Sequence, residues 1–510
     1  MANSGGLKAL PRRNNVNIWD LTRRDFVQQA GGMAALGAAG TLLPVAASRL
    51  MAAADMVPTP GPADWPRFGY DNQNTRHNVK EKTLGPKNVD RLKMKWKFDA
   101  IDHAPIQTTP TVIGDTLFFG AGSWYYALES ATGKLKWKFE TPLAGDYTNA
   151  FKNRATRGSC QYVDGRIYFG DGRAVVHCLD AATGKEVWNT HMDDDPRSSA
   201  SMMHAVVVYK GRVLVGYTAR DARIASLDQE TGAIRWSWRV AQSAPPESHS
   251  GGGPLWTSGA VDEKYNILYN ATGDAKTFMP PGPMLYTASM VAHDIDTGEL
   301  LWFFQPYPQD AADIDFNAHP IVYDAEPPMF VKGDVRHCVF AGCKAGVFCV
   351  NRYTGQLFWK VMLGAKAAGG GTQTNSIAFA YNKLYVQYRN VTSNPAFAVT
   401  AALNAYNGDV EWMNLNPALQ ESPIAVANGV VYLGFIHKPK MQALDAFTGK
   451  ILWEHDMPSD FRGGASIANG ALYFSNGESE ASAQVALKKM AAGQKMPYEY
   501  SVYCFTVDGK

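Results

Sequence analysis

The stretch CLDAATGKEVW, Cys178 to Trp188, decides how the whole chain is read. An alternating apolar run leads into Asp180, a Thr183-Gly184 pair turns the chain, and a second run ends on Trp188. Glycine suits such a turn because it reaches positive φ without a Cβ clash, and an aspartate ahead of it can bond the turn's own backbone. The same order returns as ALESATGKLKW (Trp137), SLDQETGAIRW (Trp236), AHDIDTGELLW (Trp302), CVNRYTGQLFW (Trp359), ALNAYNGDVEW (Trp412) and ALDAFTGKILW (Trp453). That makes seven copies, 41 to 66 residues apart, each with its tryptophan four residues after the glycine. Between them lie further strand-like runs, among them GRIYFG, GRVLVG, NKLYVQY and GVVYLGF. About four strands per period predicts a β-propeller blade. A tryptophan at one fixed blade position is expected between neighbouring blades, where a large flat ring buries much apolar area.

The two ends of the chain supply an eighth copy in halves. The chain finishes VYCFTVDGK, a strand and a turn glycine, Gly509, with no tryptophan after it. RLKMKWKF, around Trp96, is a strand with no partner. Joining them predicts an all-β fold, an eight-bladed β-propeller of four-stranded antiparallel blades, closed by the N- and C-terminal strands so that no open edge remains.

Charge is nearly balanced, 49 Lys+Arg against 47 Asp+Glu, and no nucleic-acid motif is present, so nucleic acid is not an expected partner. The high aromatic share of 12%, with 47 Gly and 28 Pro, suits many short strands joined by turns. Most of the six cysteines, which form no CxxC pair, are expected as buried thiols, a disulfide staying open to an exported chain, and the absence of CxxCH leaves no attachment point for a c-type haem. The first residues read as an address. Arg23-Arg24, Phe26, a weakly apolar Gly/Ala-rich run and the small residues Ala52–Ala54 match a twin-arginine export signal. A membrane-anchoring helix is the rival there, but Gly31, Gly32, Gly37, Gly40 and Pro44 interrupt the apolar run. The expected division is therefore residues 1–54 as signal and 55–510 as one propeller, exported to the periplasm, with no transmembrane span in the mature protein.

The repeat resembles that of the pyrroloquinoline quinone (PQQ) propellers, and DWPRFGYDNQNTRHN, with LGPKNVDRLKMKW after it, resembles the opening of PQQ-dependent alcohol dehydrogenases, especially polyvinyl alcohol dehydrogenase-like members. Scaffold proteins of outer-membrane assembly share the repeat, so the implied function rests on the site. The resemblance implies PQQ and Ca²⁺ as cofactors. It implies a small-molecule or polymeric alcohol as substrate, and an external electron acceptor such as cytochrome c. GYTARD places Thr218 at a cofactor carboxylate and Asp221 at a metal ligand; GGGPLW and LYNATGD place Trp256 as the stacking floor and Asp274 as a second ligand. FFQPYPQDAAD places the catalytic aspartate, also a metal ligand, at Asp310. AGCKAG places Lys344 near the quinone oxygens, and ATRGS places Arg157 at a cofactor carboxylate. Three carboxylates suit a hard cation such as Ca²⁺, and a carboxylate base suits removal of an alcohol proton. Taken alone, each aspartate also reads as a turn residue bonding its own backbone.

Three departures from the family pattern stand out. The family's vicinal cysteine pair is replaced by Phe151-Lys152, two metal ligands appear as aspartate in place of glutamate and asparagine, and Ala312 stands where an aspartate accompanies lanthanide use. Two rivals follow. One is a non-catalytic scaffold or binding propeller. The other is a metal oxidoreductase on the same fold, with His103, His204, His249 and His319 converging on copper or zinc.

Overall fold

The computed structural model describes residues 58–510 except 101–105, 142–157, 194–199, 219–221, 243–251, 276–283, 309–313, 330, 363–371, 391–396, 417–418, 421, 437 and 478–499. The export-signal assignment at 1–54 lies outside the described residues. No described helix is long and apolar enough to cross a membrane.

Eight antiparallel sheets follow one another along the chain, over residues 111–140, 161–191, 207–239, 260–304, 321–362, 372–416, 425–456 and a last sheet built from both ends. They are blades 1 to 8 below. Blade 8 joins Leu92–Asp99 to Ser501–Val507, with Trp96 opposite Cys504, and continues through Ala471–Ser475 to Ser466–Ala468. The expected closure is therefore formed. Blade 7 departs from the four-stranded pattern: His77–Asn78 adds in parallel to Ala425–Ala427, and Leu419–Gln420 pairs beside Val430–Ile436.

The repeated motif is the joint between blades. Asp180 Oδ1 accepts from the Thr183 amide at 2.8 Å and from its hydroxyl at 2.7 Å, fixing the turn, and Gly184 takes φ +70°. A Cβ on Gly184 would lie 2.6 Å from the Trp137 ring, so the glycine of one blade is the seat for the tryptophan of the blade before. Each seated indole then donates to the carbonyl one residue after the turn's acidic or Asn position: Trp96 to Ser130, Trp137 to Ala181, Trp188 to Gln229, Trp236 to Ile295, Trp302 to Arg352, Trp359 to Ala405 and Trp412 to Ala446, at 2.8–3.3 Å. Trp453 faces the blade whose turn is split between the termini, and there its ring meets Phe505 edge-on at 5.6 Å. The aspartate holds the turn, the glycine makes room, and the tryptophan staples the ring.

Trp302→Ala is expected to cost about 3–5 kcal/mol by opening a cavity between blades 4 and 5. Gly355→Ala is expected to cost about 1–2 kcal/mol in left-handed backbone strain alone. A Cβ at Gly355 would also sit 2.7 Å from that same indole. Urea unfolding of both variants checks this, and the double variant should cost less than the sum because the two residues share one joint.

Around the axis runs a feature the repeat does not foretell. The segment Trp65–Asn78 bonds in turn to the innermost strands of seven blades. Trp65 pairs with Val112, Pro66 accepts from Tyr162, and Asn72 accepts from Val261. Gln73 accepts from Val322, Thr75 from Phe379 and Arg76 from Val426, while the Asn78 amide donates to Ile467. One irregular strap thus ties the ring from within.

All six cysteines are buried free thiols. In blade 2, fully buried His177 lies between Glu186, 2.7 Å from Nδ1, and Asp171, 3.3 Å from Nε2. Burial opposes its charge, but the hydrogen bonds from Asp171 and Glu186 prevail and raise its pKa. A raised histidine contributes stability fully below its ordinary value near 6.5, and the contribution is lost as pH rises through the raised folded value. Stability measured from pH 6 upward should therefore fall in the native protein, and His177→Asn should flatten that slope.

Candidate functional site

Each innermost strand is preceded by a loop at one end of the axis, and three such loops from successive blades meet. Thr218 ends the second strand of blade 3, where it pairs with Ser201, and its hydroxyl donates to the Leu255 carbonyl at 3.2 Å. Leu255 leads into Trp256, and that segment lies against the end of a blade 4 strand: Gly253 N to Asp274 O is 2.8 Å and Gly273 N to Pro254 O is 2.6 Å. A Cβ on Gly273 would come within 2.7 Å of Trp256 Nε1, so glycine is required where the indole edge passes. That indole N–H donates to Asp315 Oδ2 at 2.8 Å. The other oxygen, Oδ1, lies 2.6 Å from Lys344 Nζ.

Lys344 stands at the tip of the hairpin between Arg336–Cys343 and Gly346–Asn351. Phe316 bridges to Cys343, and Lys344 N donates to Asp315 O at 3.2 Å, so backbone as well as side chain fixes the pair. With side-chain exposures of 1% for Asp315 and 14% for Lys344, the pair is shielded from water, which strengthens its attraction and makes loss of either partner costly.

Of the seven residues singled out from sequence, the structure brings Thr218, Trp256, Asp274 and Lys344 into this one neighbourhood. Arg157, Asp221 and Asp310 lie outside the described residues, as do Phe151, Lys152 and Ala312. Among the described residues no three His, Cys, Asp or Glu side chains gather to hold a metal, so Asp274 is the single described member of the expected ligand set. Asp315 is the residue that sequence reasoning missed. Its signal was a lone carboxylate between the apolar Ile314 and Phe316, just ahead of an innermost strand.

The histidine alternative is half visible. His103 and His249 lie outside the described residues. His204 and His319 are buried, and burial pulls their pKa values down to about 4 and about 3, so both are neutral. The His204 ring lies against Gly216 and the Leu255 side chain, beneath the Thr218 contact: a Cβ on Gly216 would be 3.3 Å from His204 Nε2 and 2.8 Å from Leu255.

The donor set suits a flat, polyanionic quinone and a hard cation. It offers an indole face held by its edge, an ammonium group, a hydroxyl, and carboxylate oxygen at Asp274.

A family model described as the glucose/ethanol/alcohol dehydrogenase β-propeller domain matches residues 65–374, and one described as the outer membrane protein assembly factor BamB matches 344–486. A quinohemoprotein alcohol dehydrogenase of Comamonas testosteroni is 29% identical over 329 residues, covering 56% of this chain and 44% of the relative. The alcohol dehydrogenase (quinone) dehydrogenase subunit of Gluconobacter oxydans is 27% identical over 342 residues, covering 57% and 43%. The chain thus spans less than half the length of these relatives. Among solved structures, the quinohemoprotein alcohol dehydrogenase ADHIIG of Pseudomonas putida superposes with a TM-score of 0.76 at 19% identity, over 91% of this chain and 82% of that one. A europium-containing methanol dehydrogenase gives 0.72 at 19% identity, over 88% and 98%. At these identities the structural likeness establishes the fold.

Proposed function

Because the chain belongs to the glucose/ethanol/alcohol dehydrogenase β-propeller family, we propose that it is a periplasmic dehydrogenase, exported by the twin-arginine route, that oxidises an alcohol with PQQ and Ca²⁺. Electrons pass to an external acceptor such as a soluble cytochrome c. The observation that carries this reading is the connected set Trp256–Asp315–Lys344, which holds an aromatic ring and a cation side by side.

When bound, PQQ supplies a two-electron oxidant and the cation supplies Lewis acidity beside it. The protein's part is placement. Asp315 holds both the indole edge of Trp256 and the Lys344 ammonium, so Trp256 would offer its face to the bound cofactor and Lys344 would stabilise negative charge developing on it. Arg157, and Thr218 once its hydroxyl turned from the Leu255 carbonyl, would hold carboxylates of the cofactor, and Asp221, Asp274 and Asp310 would supply oxygen to the cation. Asp310 takes the hydroxyl proton of the substrate. Asp315 acts on the reaction through Lys344 and Trp256, which makes it a positioning residue.

Quenching of tryptophan fluorescence by added PQQ tests this reading, with Ca²⁺ and Eu³⁺ in parallel arms. Saturable binding that needs Ca²⁺ and weakens in Trp256→Leu is the expected result. Binding that needs Eu³⁺ instead would reassign the metal. No binding at all would favour the scaffold reading, which the BamB match over residues 344–486 supports.

A further inference from the structure

The axial strap buries two guanidinium groups. Arg67 is 1% exposed and Arg76 is fully buried, and burial pulls their pKa values only to about 10 and about 9, so both carry charge at neutral pH. They differ in how their N–H groups are used. Arg76 donates to the carbonyls of Phe68, Ile424 and Ala465, and its guanidinium lies over the rings of Phe68 and Trp65. Arg67 spends Nη1 on the Asp71 carbonyl and Asn72 Oδ1, while its buried Nε and Nη2 have no partner.

Charge near these groups does not balance. Asp71 is the half-buried carboxylate by Arg67, and both its oxygens already serve Thr75, one at the amide and one at the hydroxyl. Glu263 is exposed, and Asp262 is committed to Arg352 at 2.8 Å. His319, whose ring meets Phe68 at 5.2 Å, is held neutral by burial and by the two arginines. Among the described residues two buried cations face one carboxylate, which leaves one positive charge, and an uncompensated buried charge is among the costliest features a fold can carry. Water could satisfy the free N–H groups of Arg67, but water does not neutralise the excess. The Nε–Nη2 edge of a guanidinium is a fork that grips an anion with two parallel N–H bonds.

We propose that the strap encloses a structural site for one small monovalent anion such as chloride, gripped by Nε and Nη2 of Arg67. The anion would complete the charge balance of the strap that ties seven blades together.

Crystals grown in chloride should show, at long wavelength, an anomalous peak in contact with Arg67 Nε and Nη2. In crystals of protein prepared in bromide, that peak should give way to one at the bromine edge. An ordered water at the spot, without anomalous signal in either crystal, would overturn the proposal. In solution, raising chloride or bromide against gluconate at fixed ionic strength should raise Tm along a saturable curve, as for any ligand of the folded state. Arg67→Met should abolish that halide-specific rise. The same rise in the variant would overturn the proposal, and the crystal measurement stands on the unaltered protein should the variant not fold.

Discussion

Asp310→Asn, loaded with PQQ and saturating Ca²⁺, is expected to turn alcohols over about 10²–10⁴-fold more slowly than the unaltered protein, the usual worth of a positioned base. Fluorescence titration should show PQQ still bound, because asparagine keeps the shape and one oxygen of the lost carboxylate. Loss of turnover with binding retained separates a base from a residue that merely supports the fold. The loop after Phe304 carries three aspartates, Asp310, Asp313 and Asp315. Asp315 has both oxygens engaged, by Trp256 and Lys344, which leaves the first two as competitors for the proton. Asp313→Asn is therefore the paired variant. It is expected to keep most of the turnover; if it abolishes turnover and Asp310→Asn does not, the base lies three residues further on.

Lys344→Met is expected to cost about 3–5 kcal/mol of stability, because it removes the ammonium 2.6 Å from the carboxylate of Asp315, which is 1% exposed. Urea denaturation with circular dichroism measures this. Adding Asp315→Asn to that variant should recover part of the loss, since an amide is cheaper to leave unpaired in the interior than a charge. Turnover should not recover with it. The double variant keeps an acceptor for the Trp256 indole but has no cation beside the cofactor, so stability and activity should part company. Their joint recovery would mean that Lys344 matters only to folding.

These two variants also mark how far the sequence could be read. The propeller was legible because its joint is local: an acidic or Asn position, a glycine and a tryptophan fall within eleven residues, and every indole of the set but Trp453 repeats the same bond to the next blade's turn. Closure by the two ends was legible for the same reason, as Trp96 and Gly509 are the missing halves of one motif. The strap was not. Its partners, from Val112 to Ile467, sit in seven different repeats, and no spacing within DWPRFGYDNQNTRHN announces them. The site was legible where a glycine or a hairpin fixes a side chain, as Gly273 does for Trp256 and the Cys343–Gly346 turn does for Lys344. It was not legible at Asp315, whose role comes from a cross-loop meeting of residues 256, 315 and 344 that no local pattern encodes.

The most direct test of the central claim is dye reduction by the chain from Asp55 with PQQ and Ca²⁺, each omitted in turn, against primary, secondary and polymeric alcohols. Turnover that requires both additions, falls away in Asp310→Asn and is matched by aldehyde or ketone formed from the alcohol is the predicted result. A folded protein that binds PQQ with its cation yet reduces no dye with any alcohol would contradict the assignment as an alcohol dehydrogenase.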